Sequence, residues 1–344
     1  MIDLTELAKI PYLNPGVIGE RVVNLMPLWD GASWHQWLAV EDRLIPLRIL
    51  EVEQVDYVAK EAARETDLWV PFVDLMWQRT SYPEVCPRVT TICDDFHNLF
   101  TSIAKLRHFH RTREMLGGIV PMTFAATEIE YIATVARGIF DLVQEVIALL
   151  WDGRVRLLDE EAEKRRKKRK LPSTFSRMVL KDKQAPRTAA EIQTEFHLPP
   201  ILATEYERHT PFFSQLRDVR NKVIHGLGTH TLIFSTEKGF CVDPKLPPFN
   251  AFDIWKEQHY YNTNIASLLP WLSHVIIHTI DACSALMTAF ANQVQFPPEI
   301  APGYRVYVRG TNSDAIIDLL RSHRGESVWW EHEKPELNGS AEPG

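Results

Sequence analysis

The segment from Arg217 to Gly226 carries three polar side chains at the place where its helical pattern ends. Asn221 and His225 are four residues apart, so on a helix they share one face. Arg220 lies further round the axis, but its long side chain can reach the same patch. A guanidinium can bind two phosphate oxygens at once, and an imidazole can exchange a proton near neutral pH. These residue types at this spacing are therefore suited to half of a phosphate-handling site.

The same residues also suit an ordinary helix end. Gly226 can close the last turn, and bases in a last turn interact favourably with the exposed carbonyls and the helix dipole. This dipole favours the charged form of His225. Spacing alone therefore leaves two interpretations open, a helix cap and a chemical site.

The stretch "RNKVIHG" at 220–226 resembles the Arg-Asn-x-x-x-His motif of the HEPN superfamily (higher eukaryotes and prokaryotes nucleotide-binding domains). Its neighbours fit such a domain: a long helix with an apolar stripe at 123–151, an interrupting basic segment, the motif helix and a closing helix. The resemblance extends over roughly residues 86–293. It implies an antiparallel helical bundle, usually dimeric, in which the motifs of two protomers face each other.

The resemblance also implies a function, that of a metal-independent endoribonuclease with a toxin-like role in defence or stress response. In such enzymes the RNA 2′-hydroxyl attacks the adjacent phosphate, which leaves a cyclic phosphate and a free 5′-hydroxyl. Carried over by position, His225 is the acid or base, Arg220 stabilises charge on the phosphorane, and Asn221 is the positioning residue. The alternative is a non-catalytic HEPN scaffold that binds RNA or a partner protein.

A run of bases follows an acidic stretch and interrupts the helices. Seven adjacent like charges repel one another, so we expect a mobile loop or a frayed helix end. The run is either a solvated linker or a contact to the RNA backbone, where cations gain affinity by releasing counterions. The candidate RNA-binding residues are Lys164, Arg165, Arg166, Lys167, Lys168, Arg169 and Lys170.

Helical spacing dominates the chain from Val52 onward and predicts a mainly α fold. We expect an antiparallel HEPN-like helical bundle with a short β-hairpin at 230–243 and an extra N-terminal helical region. The expected parts are a mostly helical region of unknown role at 1–85, the HEPN-like domain at 86–293, and an extension at 294–344 with a short strand, a short helix and a disordered tail. Prolines predict a motif helix that starts near Pro211 and a long helix at 252–293 that Pro270 either kinks or divides.

Composition argues against several other classes of protein. The net charge of −7 gives no global attraction for nucleic acid, so RNA binding would need a local basic patch. Four scattered cysteines indicate neither a disulfide framework nor a zinc knuckle, and no dinucleotide, P-loop or hydrolase-type glycine motif is present. The N-terminus lacks a signal-peptide pattern, and His, Asp or Pro interrupts the most apolar stretches. We therefore expect a cytoplasmic protein without a membrane partner.

A row of three polar residues offers a different chemistry. His274, His278 and Asp281 follow one another at offsets of four and three, a spacing at which side chains on one helix face can share a metal ion. The row has no glutamate in the HExxH arrangement, and the opposite face is apolar. We expect a polar stripe on a packed helix, with no metal and no cofactor.

The expected partners are RNA, a second copy of the chain and, for a toxin, an antitoxin or another partner protein. If each protomer supplies one motif, the protein forms a two-fold dimer with both His225 side chains near a shared cleft. Light scattering at micromolar concentration tests this expectation. A stable monomer, or a structure with the motifs on opposite outer surfaces, would contradict it.

Overall fold

The computed structural model describes residues 2–166, 169–182, 184–224, 233–310 and 312–330. Helices account for 52% and strands for 14% of it, and six of the strands form one mixed sheet. The expected mainly α bundle is therefore wrong as a description of the whole chain. The expected N-terminal helical region is wrong as well, because that region supplies five of the six strands.

The helices in chain order are α1 (Leu4–Leu7), α2 (Pro71–Thr80), α3 (Cys86–Arg111), α4 (Arg113–Leu116), α5 (Val120–Gly153), α6 (Glu160–Arg166), α7 (Phe175–Val179), α8 (Ala189–Phe196), α9 (Pro200–Ile224), α10 (Leu269–Ala291) and α11 (Ser313–His323). The strands in chain order are β1 (Leu28–Trp29), β2 (Trp34–Val40), β3 (Arg43–Ile49), β4 (Val55–Ala59), β5 (Leu68–Trp69), β6 (Arg156–Leu157), β7 (Leu180–Lys181), β8 (Ala185–Pro186), β9 (Ile233–Ser235), β10 (Phe240–Val242), β11 (Ala266–Ser267), β12 (Val294–Gln295) and β13 (Arg305–Arg309).

The large sheet has the strand order β3-β2-β1-β4-β13-β5. Strand β1 runs parallel to β4, and the other neighbours are antiparallel. Strands β2 and β3 form a hairpin in which Val40 pairs with Arg43, so Glu41 and Asp42 make the turn. Glu41 has a positive φ of 55°, the conformation that a tight hairpin turn needs. The late strand β13 lies between β4 and β5 and completes the sheet.

Strand β4 shows why the sequence predicted a helix here. Val52, Val55 and Val58 are three residues apart, a spacing that fits a helix, but Val55 and Val58 lie in a central strand. Tyr57, Val58 and Ala59 are all completely buried, so both faces of the strand are covered. A strand buried on both faces is apolar along its length and lacks the alternation that identifies half-buried strands.

Helices α3 and α5 pack antiparallel. Near one end the Arg88 guanidinium lies 2.7 Å from a carboxylate oxygen of Glu145. Near the other end the Lys105 ammonium lies 3.1 Å from Glu128. From the first pair to the second, the residue number rises along α3 and falls along α5. The two helices therefore run in opposite directions.

Helix α9 is antiparallel to α5 and also packs against α10. The buried Tyr206 hydroxyl donates to Gln144 at 2.6 Å, and the rings of Phe213 and Phe140 lie 5.4 Å apart. On its other side, the Phe212 ring is 5.5 Å from the His278 ring of α10. The chain therefore contains antiparallel helix pairs in addition to the sheet.

Two predicted helix boundaries are wrong. Helix α9 begins at Pro200 and contains Pro211, although the motif helix was expected to start there. The neighbouring Thr210 hydroxyl bonds back to the Tyr206 carbonyl at 2.7 Å. Helix α10 begins at Leu269, so Pro270 occupies its first turn, where a missing N–H costs nothing. The prolines in the sequence therefore did not mark the residues at which α9 and α10 begin.

Other local predictions are confirmed. Helix α5 spans the apolar stripe, and α2 has Pro71 at its first turn. The expected hairpin forms from β9 and β10, which pair antiparallel, and β13 and α11 occupy the expected strand and helix of the C-terminal segment. Each of these elements has a regular period and a clear turn or proline signal next to it.

The chain divides into two compact units. The first comprises Met1–Thr101, Val135–Ser214 and His278–Asp314, and the second comprises Ser102–Thr134, Gln215–Ile277 and Ala315–Gly344. One helix among the described residues, Leu269–Ala291, is long and apolar enough to cross a bilayer. Of its most apolar window 56% is buried inside the protein, as for a core helix.

A buried ion pair holds β13 against the rest of the sheet in the first unit. Arg309 and Asp67 are 3% and 1% exposed at the side chain, and the guanidinium lies 2.6 Å from the carboxylate. The same carboxylate accepts the Tyr57 hydroxyl at 2.7 Å and the Arg64 backbone N–H at 2.9 Å. The guanidinium also lies over the Trp34 ring, 4.7 Å from its centre. Each charge thus has the partners that burial requires.

We expect Asp67→Ala to lower the free energy of unfolding by about 3–5 kcal/mol, because it leaves the buried Arg309 charge unpaired. Urea denaturation measures the change. The matched control is Glu51→Ala, which removes the exposed partner of Arg64 and should cost less than about 1 kcal/mol. Equal costs for the two variants would show that Arg309 is not an essential contact of the sheet.

Candidate functional site

The described part of α9 places two of the three motif residues on its final turns. Arg220 and Asn221 are both partly buried, and the Arg220 Nη1 donates to the Asn221 Oδ1 at 3.4 Å. His225, the predicted acid or base, lies outside the described residues. The geometry therefore brings Arg220 and Asn221 together and carries no information on the position of His225.

The apolar side of α9 orients these residues. Leu216 and Val219 precede them at helical spacing and are completely buried. A helix anchored on that face holds the adjacent positions at the edge of the core, partly open to solvent. The neighbouring Lys222 is exposed in the last turn. The end of α9 therefore carries two bases. Lys222 is exposed, and the Arg220 guanidinium donates a hydrogen bond to the Asn221 amide oxygen.

Within the described ranges, the Arg220–Asn221 contact leaves most of the hydrogen-bonding capacity of both side chains available. A guanidinium has five N–H groups, and only one of them donates to Asn221 in this contact. The Asn221 amide keeps its two N–H donors. Such a pair can bind phosphate oxygens through several N–H groups in one plane, which is the part that the sequence assigned to these residues.

The basic run begins in the last turn of helix α6, which ends with Lys164, Arg165 and Arg166. A mobile loop or a frayed helix end was expected for the run, and its described beginning is helical. Arg166 is 7% exposed and pairs with Glu163 at 2.6 Å, and its Nη1 also donates to the Trp151 carbonyl. This guanidinium is part of the core of the first unit and cannot reach a phosphate without leaving it.

The other described bases of the run lie on the surface, mostly beside carboxylates. Lys164 pairs with Glu161 at 2.6 Å, Lys170 pairs with Asp152 at 2.7 Å, and Arg169 pairs with Glu195. Arg165 is exposed. Lys167 and Lys168 lie outside the described residues. Exposed ion pairs contribute little free energy, so these bases can exchange a carboxylate for a phosphate, whereas Arg166 cannot.

The row of polar residues on α10 forms aromatic contacts. The His274 ring lies 4.7 Å from the Phe252 ring, and the His278 ring lies 5.5 Å from that of Phe212. In the part of the chain that the structure describes, no group of three His, Cys, Asp or Glu side chains could hold a metal ion. The row therefore offers no observation in favour of a metal enzyme.

Sequence reasoning did not single out the residues of a cavity of about 400 Å³ in the first unit. Asp56 of β4, Trp77 of α2, Ser81 after α2 and Cys93 of α3 all line it. They come from three different elements, and no local spacing connects them. The single signal in the sequence was Asp56, a polar residue in the apolar segment that forms β4. Because that segment was interpreted as a helix, the signal was missed.

Comparison of the chain with protein-family models, with curated proteins and with solved structures finds no match in any of the three. The likeness to HEPN domains therefore depends on the motif and its neighbouring helices alone.

Two variants separate the roles of the basic run. We expect Arg166→Ala to lower the free energy of unfolding by about 3 kcal/mol, since Glu163 then loses the buried guanidinium that pairs with its charge. The triple variant with Lys164→Ser, Arg165→Ser and Lys170→Ser should fold normally. If the run contacts RNA, this variant reduces the slope of log affinity against log salt by about 2. An unchanged slope would show that the exposed bases do not bind RNA.

Proposed function

We propose that this protein is an HEPN-type, metal-independent endoribonuclease with a toxin-like role in defence or stress response. RNA is its substrate, and two copies of the chain form one composite site. The observation that carries the proposal is the pairing of Arg220 with Asn221 on the final turns of α9. Their partial burial leaves N–H groups that can hold a phosphate.

The surrounding helices support the same proposal. The motif helix packs antiparallel to α5, with Tyr206 bonded to Gln144, and it contacts α10 through Phe212 and His278. This is the arrangement that the family resemblance implies for the helices next to the motif. A buried face fixes the helix, so the motif side chains can be held in one orientation, as electrostatic stabilisation of a transition state requires.

In the proposed reaction the RNA 2′-hydroxyl attacks the adjacent phosphorus, and the bond to the 5′-oxygen breaks. One His225 accepts the proton of the 2′-hydroxyl, and the partner's His225 or a water protonates the leaving 5′-oxygen. Arg220 offsets the charge that develops on the phosphorane, and Asn221 holds the guanidinium in place. The products are a cyclic phosphate and a 5′-hydroxyl.

We expect the purified protein to cleave mixed RNA in EDTA and to leave 5′-hydroxyl ends. At saturating RNA, His225→Ala should lower the rate by about 10²-fold or more, because proton transfer is lost. Arg220→Lys should lower it by a similar factor, since an ammonium cannot reproduce the guanidinium fork. The rate of appearance of ends that accept a 5′-phosphate label, with circular dichroism to confirm folding, measures both effects.

The matched control is His108→Ala, which removes an exposed histidine of α3 and should leave the rate unchanged. If His225→Ala cleaves RNA as fast as the parent protein, the proposed ribonuclease is wrong. If the parent protein binds RNA without cleaving it, the non-catalytic scaffold is the better description. Unfolding of both motif variants would instead favour a helix cap.

A further inference from the structure

The cavity of about 400 Å³ in the first unit lies between the first strands and two helices. We name it the α2–α3 cavity after the helices that line one side. Val73 and Met76 of α2 give it apolar walls and are almost completely buried. Its volume falls within the range of small-molecule sites, which are mostly apolar with a few polar groups that fix the orientation of the ligand.

Two buried donors of the cavity lack a partner. Trp77 and Ser81 line it, and each is 3% exposed. The Trp77 Nε1 and the Ser81 Oγ have no hydrogen-bond partner among the described residues. A buried donor without a partner destabilises a protein, so each of these two groups calls for an explanation. Acceptor atoms of a ligand in the cavity would satisfy them.

The cavity also contains a carboxylate. Asp56 of β4 and Cys93 of α3 both line it, and the Asp56 carboxylate lies 3.4 Å from the His97 Nε2. Burial and the Asp56 charge raise the pKa of Cys93 well above its ordinary value, so the thiol stays protonated. Cys93 is therefore not suited to nucleophilic chemistry.

The charges of the lining residues are of one sign. Asp56 and Asp94 line the cavity, and none of its lining residues is Lys, Arg or His. A ligand that carries a carboxylate or phosphate would meet two carboxylates, and His97, which contacts Asp56, does not line the cavity. A protonated amine would instead find an opposite charge in a largely apolar setting, where such contacts are strong.

We propose that the α2–α3 cavity binds a small organic amine with an apolar body and an oxygen acceptor. The ammonium group faces Asp56, and the oxygen accepts hydrogen bonds from Trp77 and Ser81. The apolar body packs against Val73 and Met76. This site is independent of the proposed ribonuclease motif, which is built from residues of the other unit.

Three molecules of similar shape test the proposal by isothermal titration calorimetry on the full-length protein. Tyramine carries both an amine and a phenolic oxygen, phenethylamine lacks the oxygen, and 3-(4-hydroxyphenyl)propionate carries a carboxylate in place of the amine. We expect tyramine to bind, phenethylamine to bind about tenfold more weakly, and the propionate not to bind at the same concentrations. Failure of tyramine to bind at millimolar concentration overturns the proposal, and so does equal binding of the propionate.

Variants then assign the polar groups. Asp56→Asn keeps the shape of the side chain and should weaken tyramine binding by about tenfold or more, because the charge is lost. Trp77→Phe keeps the ring but removes the N–H. It should weaken tyramine binding and leave phenethylamine binding unchanged, and it should not lower the thermal stability of the free protein, since the N–H has no partner to lose.

The matched control is Trp69→Phe, which removes an indole N–H of a tryptophan that is 43% exposed and lies outside the cavity. Its tyramine affinity should equal that of the parent protein. Ser81→Ala provides a second removal of a donor if Trp77→Phe folds poorly. Unchanged tyramine affinity in both Asp56→Asn and Ser81→Ala would place the binding elsewhere and overturn the proposal.

Discussion

The ion pair between Asp67 and Arg309 is the contact on which the large sheet depends. Its two residues are 242 positions apart in the chain, and both charges are almost sealed from solvent. Burying a charge is costly unless a partner and further hydrogen bonds compensate it, so this pair forms only when β13 is in register beside β4 and β5. The sheet is therefore completed by the end of the chain, and its N-terminal strands are not an independent hairpin array.

The motif helix depends on a similar constraint in the helical part. Gln144 is completely buried on α5, accepts from Tyr206 and donates to the Pro172 carbonyl at 2.8 Å. These two hydrogen bonds fix the Gln144 amide in one orientation. Through them, Gln144 connects α5 to α9 and to the segment after α6. The apolar rings around it bury the same face of α9 further along. Packing of this kind sets the direction of α9, and the direction of α9 sets where its last turns present Arg220 and Asn221.

Charge has different consequences in the two regions that could contact a phosphate. In the basic run, a carboxylate accompanies each of Lys164, Arg169 and Lys170, and Arg166 is withdrawn into the core beside Glu163. The fold thus places a carboxylate beside each of these four bases. The nearby negative charges reduce the repulsion among the bases that would otherwise keep the run mobile. At the end of α9, the guanidinium of Arg220 instead contacts a neutral amide and keeps its net charge.

Local periodicity by itself determined several elements of this protein. The apolar stripe of α5, the turn between β9 and β10, and the amphipathic α11 can each be recognised from a single segment of sequence. The motif also placed Arg220 and Asn221 together on a helix, because residues next to each other on a turn stay close in any fold. Its acid or base, His225, stays a prediction.

Tertiary structure alone decided the rest. Strand β4 is central because β1 and β13 pair with its two edges, and Tyr57, Val58 and Ala59 are buried within it, although its segment carries the spacing of a helix when read alone. The α2–α3 cavity joins Asp56, Trp77 and Cys93 from separate elements, and Arg166 is structural only because Glu163 and Trp151 meet it inside the first unit. The physical reason is the same in each case. Long-range pairing and desolvation decide which of several locally acceptable conformations has the lowest free energy, and a short window of sequence contains neither.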